Sequence, residues 1–252
     1  MDGSSCSAAA DAVRRLAVDI VKQARQTVRK QTLRETLMRK LTLALAAAGL
    51  AAVSIGTLHA QQGGPPGVAD PSRVAAGTYK VDPNHSMVGW GVSHFGFNDY
   101  FGIFGDVAGE FTLDTANPSA SKVDVTIPIA SVVVPSAGLK DPQLRAGQTG
   151  GPADFFGPSP AAAHFVSTSV QPTGGTKANI TGNLTMNGQT KPVTLAVELA
   201  GAGNAPMGAR AATVGFHGTA TIKRSDWGVA FGIPFGLADE VDLHITVAGE
   251  KQ

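Results

Sequence analysis

Residues 180–199 read ITGNLTMNGQTKPVTLAVEL and decide the fold. Apolar and polar residues alternate on both sides of Asn187-Gly188, the dipeptide that most strongly indicates a tight β-hairpin. A period of two is typical of strands that bury one face and expose the other. This stretch therefore predicts two antiparallel strands joined by a two-residue turn.

The same alternation recurs along the chain from Tyr79 onward. Its apolar positions include Val88, Trp90 and Val92; Val107, Phe111 and Leu113; Val123, Val125 and Ile127; Val214, Phe216, Ala220 and Ile222; and Val241, Leu243, Ile245 and Val247. About eight amphipathic strands that share one interior predict an all-β protein, either a closed antiparallel barrel or a sandwich. Two Tyr and two Trp are too few for the aromatic girdles of a membrane-embedded barrel, which favours a soluble one.

Composition divides the chain near residue 60. The 252 residues carry a net charge of +1, but residues 1–60 hold nine basic and four acidic residues, with the single cysteine, Cys6, and no aromatic residue or proline. The remainder holds 11 basic and 15 acidic residues and all 15 prolines. An acidic second part argues against nucleic acid or an anionic membrane as its partner.

The first part contains a complete export signal. Met38-Arg39-Lys40 precede an apolar run and then Ala60, the three parts of a cleaved secretory signal peptide over residues 38–60. We expect a periplasmic or secreted protein cleaved near Ala60; a retained membrane anchor is the alternative. Residues 1–37 are expected to be a spurious or disordered upstream extension, 61–76 a flexible Gly- and Pro-rich leader, and 77–252 the barrel domain.

No sequence motif supports catalysis or metal binding. Five histidines follow residue 60 without metal-ligand spacing, no Gly-x-Ser-x-Gly elbow occurs, and the exported part has no cysteine. The prediction is a protein that is not an enzyme and has no metal site or cofactor. His94 alone shares an apolar strand face with Trp90 and Val92, where a polar group needs a protein, water or ligand partner.

Aromatic residues cluster between Phe95 and Phe104 and again at Phe155-Phe156. They either plug the ends of the barrel or line the mouth of an elongated apolar pocket. A long hydrocarbon chain in such a pocket gains about 0.8 kcal/mol per buried CH₂ group. The sequence thus leaves a packed barrel and a ligand-binding barrel open.

Motifs spread over residues 77–250 form one recognisable pattern. They run from Tyr79-x-Val81-Asp82-x-x-His85-Ser86 and Trp90-x-Val92-x-His94-x-Gly96 through Gly109-Glu110-Phe111 and Asp154-Phe155-Phe156 to Gly182-Asn183-Leu184-Thr185, Gly188-x-Thr190-Lys191-Pro192-Val193 and Glu240-Val241-x-Leu243. In these residues the chain resembles the YceI-like family of exported lipocalin-like proteins. It departs from the family pattern at Lys140, which replaces an arginine, and in the longer loop Ala146–Ala153 that contains Gly147–Pro152.

The resemblance implies an extended eight-stranded antiparallel β-barrel with short helical turns in its loops, which binds or carries a long-chain amphiphile such as an isoprenoid quinone or a prenyl lipid. The expected ligand-binding residues are Val88, Trp90, Val92, His94, Phe97, Phe104, Phe111, Lys140, Leu144, Arg145, Phe155, Phe156, Phe165 and Phe216. His94, Lys140 and Arg145 are expected near the polar end. The alternatives are a packed barrel whose loops bind a membrane cytochrome, another periplasmic protein or a second copy of the chain, and an enzyme with His94 as general base.

Overall fold

The computed structural model describes Lys22 and residues 64–136, 138, 143–144, 153–206 and 211–252. By its internal contacts the chain divides into Met1–Gln62 and Gly63–Gln252, and the second unit is described below. The expectations for residues 1–37 and 38–60 lie outside the described residues, apart from Lys22. In the described part of the chain, no helix has the length and apolar character needed to cross a membrane.

The described residues of the second unit form ten β-strands, joined in places by 3-10 turns of three or four residues. In chain order the strands are β1 (Gly77–Val81), β2 (Met87–His94), β3 (Asn98–Phe104), β4 (Ala108–Leu113), β5 (Lys122–Ile127), β6 (Ala163–Gly174), β7 (Lys177–Met186), β8 (Gln189–Asn204), β9 (Ala212–Lys223) and β10 (Leu237–Lys251).

These strands form one closed antiparallel sheet. The pairing β1-β4-β5-β6-β7-β8-β9-β10 returns to β1, which closes an eight-membered ring. β2 continues beyond β1 along β10, and β3 continues beyond β4 along β2, so the ten strands occupy eight positions around the barrel. The prediction of an all-β, eight-stranded antiparallel barrel is confirmed.

The hairpin predicted for residues 180–199 forms. β7 pairs with β8 in a register that sets Met186 opposite Gln189. Asn187 and Gly188 take the turn with φ of 50° and 74°, the left-handed values that a two-residue hairpin requires. Likewise β5 ends at Ile127, directly before Pro128, whose missing N–H prevents a central strand from continuing.

The aromatic residues between Phe95 and Phe104 belong to the β2–β3 turn and to β3. β3 puts Tyr100 and Phe104 on its inner face and exposes Phe101 outside. Its hairpin with β2 turns at Phe95-Gly96, with φ of 55° and 71°. Phenylalanine rarely takes this conformation, so the turn lacks the usual sequence signal.

The Gly- and Pro-rich leader is hydrogen-bonded to the barrel from Val68 onward, although its composition predicts flexibility. Val68 and Ala202 of β8 exchange two backbone hydrogen bonds, with N–O distances of 3.2 and 2.8 Å. The absence of a side chain at Gly203 allows this approach, because a Cβ there would lie 2.0 Å from the Pro66 carbonyl oxygen. Pro71 and Val74 of the leader then reach the barrel interior.

Ser86, between β1 and β2, connects this junction to β10 through its side chain. Its side chain is 1% exposed, and its hydroxyl accepts a hydrogen bond from Ala248 N at 3.1 Å and donates to Ala248 O at 3.3 Å. Asp82 N also donates to Ala248 O, at 2.9 Å. The serine hydroxyl thus satisfies a backbone N–H of β10 at the point where one neighbouring strand ends and the next begins.

We expect Ser86→Ala to lower the free energy of unfolding by about 1–2 kcal/mol, because Ala248 N–H would remain buried without an acceptor. Urea denaturation measures the change, with Ser93→Ala on the outer face of β2 as the control. Equal denaturation midpoints for Ser86→Ala and the wild type would contradict this role.

Candidate functional site

The inner faces of the strands enclose a cavity of about 1100 Å³. Alternate side chains of β2 through β10 point into it, as the period of two predicts. Most are aliphatic or aromatic, for example Val92, Phe111, Ile180, Leu195 and Leu243. A volume this large exceeds what close-packed side chains leave empty and equals that of a typical ligand pocket.

The cavity extends between the two ends of the barrel. Thr176 and Lys177 line it at the end where β7 begins, and Pro118 precedes β5 at that same end. His94 and Asn98, at the turn between β2 and β3, line it at the opposite end. The site is therefore elongated along the strands.

Phenylalanines surround the end that holds His94. Phe95 is 42% exposed, Phe231 49% and Phe235 79%, and all three line the cavity. Phe155 packs edge-on against Phe231, with 5.6 Å between ring centroids. This end of the cavity thus presents apolar rings to the solvent.

Arg224 is a buried cation at the same end. It is 6% exposed and follows β9 directly. Its guanidinium donates to four backbone carbonyls: those of Ala238, Val229 and Phe231 at 2.8 Å, and that of Leu237 at 3.3 Å. Burial lowers the pKa of Arg224, and the nearby Asp239 carboxylate partly offsets that effect.

The four bonds of Arg224 hold the segment that carries Phe231 and Phe235 against the barrel. Asp239 in turn accepts from Ser225 N at 2.9 Å and from Ser225 Oγ at 2.7 Å. A second polar group, Gln143, is 8% exposed and lines the cavity. Its backbone carbonyl accepts from Phe156 N at 3.1 Å, which ties Phe155-Phe156 to this wall.

Most of the residues expected at the site line the cavity. They are Val88, Trp90, Val92, His94, Phe104, Phe111, Phe155, Phe156, Phe165 and Phe216. His94 lies at the open end, is exposed, and has its ring centroid 4.3 Å from that of Phe95. Solvent therefore reaches the imidazole, so water can supply the partner that a polar group on this strand face needs.

Four of the expected residues stand apart from this set. Phe97 is 89% exposed and lies outside the cavity, because the β2–β3 turn directs it to solvent. Leu144 packs against the core but does not line the cavity. Lys140 and Arg145, with the loop 147–152, lie outside the described residues.

Sequence reasoning included Tyr100 only in the aromatic cluster between Phe95 and Phe104, and it missed Gln143, Arg224 and Phe231; all four line the cavity. Tyr100 was detectable, because it lies at an even spacing from Phe104 on one strand face. Arg224 carries no such signal, since a charged residue at a strand end usually faces water. In the described part of the chain, no three His, Cys, Asp or Glu side chains cluster closely enough to hold a metal ion.

Comparison with known proteins shows that residues 79–248 match the model of the YceI-like domain family. A UPF0312 protein of Pseudomonas paraeruginosa is 41% identical over 181 residues, covering 70% of this chain and 88% of that protein. A UPF0312 protein of Pseudomonas putida strain GB-1 is 38% identical over 180 residues, with 70% and 88% covered.

Two solved structures share the fold. BcnA of Burkholderia cenocepacia superposes with a TM-score of 0.52 at 29% identity, covering 67% of this chain and 98% of that one. A YceI protein of Campylobacter jejuni superposes with a TM-score of 0.50 at 27% identity, covering 64% and 90%. In each case nearly the whole of the other chain corresponds to the barrel described above.

We expect Arg224→Lys to lower the free energy of unfolding by roughly 2–4 kcal/mol, because a lysine ammonium cannot reach four carbonyls in the planar arrangement of the guanidinium. Exposed Lys223→Arg is the matched control and should change stability by no more than about 0.5 kcal/mol. Thermal and urea denaturation provide the measurement. Wild-type stability in Arg224→Lys would contradict the anchoring role.

Proposed function

This chain belongs to the YceI-like domain family, and on that premise we propose that its barrel binds and carries a long-chain amphiphile, most simply a polyisoprenoid such as an isoprenoid quinone or a prenyl lipid. One observation carries the proposal: a continuous apolar cavity of about 1100 Å³ inside the barrel. An eight-stranded barrel is wide enough either to be filled by side chains or to hold one ligand. Here the side chains leave the space for a ligand.

The hydrophobic effect is sufficient to drive such binding. At about 0.8 kcal/mol per CH₂, a chain of a dozen carbons gains about 10 kcal/mol from burial, before the cost of ordering the ligand is subtracted. An elongated cavity with aliphatic walls accepts an extended chain of this kind. The exposed rings of Phe231 and Phe235 offer an apolar surface at which the chain can leave lipid without crossing water.

Binding fits the site better than catalysis does. His94, the candidate general base, has no hydrogen-bonded side-chain partner in the described part of the chain. A histidine that activates a nucleophile or water is usually oriented by such a partner. The ring contact with Phe95 orients the imidazole but supplies no proton acceptor.

A second candidate function, binding of a protein partner, is favoured by the apolar rings at this end of the barrel. Phe97 and Phe235 are 89% and 79% exposed, well above what folding alone requires of phenylalanine. Such a partner, a membrane cytochrome or a periplasmic protein among the candidates, would be retained when the cavity is filled. A pull-down with a variant whose cavity is filled therefore distinguishes the two functions, because lipid binding would be lost and partner binding would remain.

The proposal includes export. Residues 38–60 have the composition of a cleaved signal peptide, and the periplasm or the exterior is where a cysteine-free barrel with a lipid ligand would act.

We expect the exported protein to begin near Gln61, because Ala60 ends the signal segment. N-terminal sequencing of protein from the periplasmic or secreted fraction is the measurement. Peptides from residues 41–58 in that protein would indicate a retained anchor and contradict cleavage.

We expect Val92→Trp to abolish co-purification of long-chain compounds, because the indole would occupy the cavity that Val92 lines. Solvent extraction followed by mass spectrometry measures the bound compounds. Val166→Trp, on the outer face of β6 where Val166 is 36% exposed, is the matched control and should retain them. Absence of any long-chain compound from the wild type, together with failure to take up a prenyl quinone, would contradict the proposed function.

A further inference from the structure

The two tryptophans and two tyrosines of the chain differ in their hydrogen bonding according to whether they line the cavity. Trp227 Nε1 donates to Leu184 O at 3.1 Å, and Tyr79 Oη donates to Ala75 O at 2.6 Å; neither residue lines the cavity. Trp90 and Tyr100 do line it. Trp90 Nε1 and Tyr100 Oη are buried and have no hydrogen-bond partner among the described residues.

Trp90 is held firmly on the inner wall. It is 9% exposed, and its indole packs edge-on against Tyr100 with 5.7 Å between ring centroids and against Phe104 at 6.3 Å. It pairs with Gly102 across β2 and β3. A Cβ at Gly102 would lie 2.2 Å from Trp90 Cζ2, so the glycine provides the space that the indole occupies.

Tyr100 is the diagonal neighbour of Trp90 on the same inner face, since its own partner across the two strands is Val92. Burial raises the pKa of Tyr100, which keeps its hydroxyl protonated and able to donate. The indole N–H can only donate. The two neutral donors therefore belong to packed rings, with 5.7 Å between their centroids, among the apolar lining side chains of Val88, Val92 and Phe104.

Burying a donor without an acceptor is costly, and the other tryptophan and tyrosine of this chain avoid that cost. We propose that Trp90 and Tyr100 form an acceptor subsite, in which their N–H and O–H groups donate hydrogen bonds to a neutral oxygen, such as a ketone or quinone carbonyl, of the long-chain ligand. The inference rests on the proposed function and identifies the part of the ligand that the barrel recognises. The hydrocarbon chain supplies affinity, and these two donors select a ligand that carries a carbonyl.

A neutral acceptor suits this wall better than an anion does. Arg224 is the buried cation at this end, and four of its five N–H groups are already bonded to backbone carbonyls. Lys122 and Lys177 line the opposite end of the cavity. Among the described residues, an anionic head beside Trp90 and Tyr100 would lose its hydration without gaining an available lysine or arginine.

The test compares three probes with the same ten-carbon chain: 2-decyl-1,4-benzoquinone, which offers carbonyl acceptors; decylbenzene, which offers none; and decyl phosphate, which is anionic. Displacement of a fluorescent apolar dye from the full exported chain gives each Kd. Tyr100→Phe removes the hydroxyl donor with little change of shape, and Trp90→Phe removes the indole N–H together with one ring, a loss of volume that Trp227→Phe shares. Trp227→Phe and Tyr79→Phe are matched controls outside the cavity.

We expect Trp90→Phe and Tyr100→Phe each to weaken quinone binding about tenfold and to leave decylbenzene binding within about twofold. The melting temperature of ligand-free Tyr100→Phe should equal or exceed that of the wild type, since an unpaired polar atom has been removed. The controls should melt at a lower temperature and keep the wild-type ratio of quinone to decylbenzene affinity.

Wild-type quinone affinity in both Trp90→Phe and Tyr100→Phe, or tighter binding of decyl phosphate than of the quinone, would overturn the acceptor subsite. Decylbenzene would still displace the dye in that case, so the proposed lipid-binding function would stand. Failure of all three probes to displace the dye from the wild type would overturn both the subsite and the proposed function.

Discussion

β10 hydrogen-bonds to β9 along one edge and to β2 and then β1 along the other, and this double pairing makes the sheet a closed barrel. Closure gives every strand of the ring a neighbour on both sides, whereas β3 pairs with β2 on one edge and has the single bridge Ile103–Val133 on the other. At the junction between β1 and β2 the backbone ladder of this seam is interrupted, and the hydroxyl of Ser86 hydrogen-bonds to Ala248 in its place. The interior depends on this seam, because an open sheet would expose its apolar face to water.

Closure of the sheet brings the inward-facing side chains of the strands together around one cavity. Most inward positions along β2 to β10 contribute to one wall, so an apolar cavity follows from alternation and closure together. The side chains do not fill it, which leaves room for a chain-like ligand. At one end Arg224 orders the segment that carries Phe231. Four of its five N–H groups donate to backbone carbonyls, so they are not available to a ligand. The buried guanidinium thus stabilises the backbone that forms this end of the cavity.

Much of the barrel and its lining could be predicted from the chain because period-two alternation is a local property. Val88, Trp90 and Val92 line the cavity as expected, and Asn187-Gly188 turns where expected. β3 was harder to anticipate, since Phe95-Gly96 makes its turn without the usual residues. Phe97 belongs to that turn and faces solvent, and its odd spacing from Phe104 agrees with that position. The leader pairs with β8 only because distant glycines permit the approach.

By itself the sequence determined which residues face inward, where the tightest hairpin turns, and that the family pattern extends over the barrel, because each depends on residues close together in the chain. The tertiary structure decided which inward polar groups have partners. Trp90 and Trp227 are the same residue type, and both are buried, yet the Trp227 N–H donates to the Leu184 carbonyl while the Trp90 N–H has no hydrogen-bond partner among the described residues. That difference arises from contacts between residues far apart in sequence, which only the closed barrel brings together.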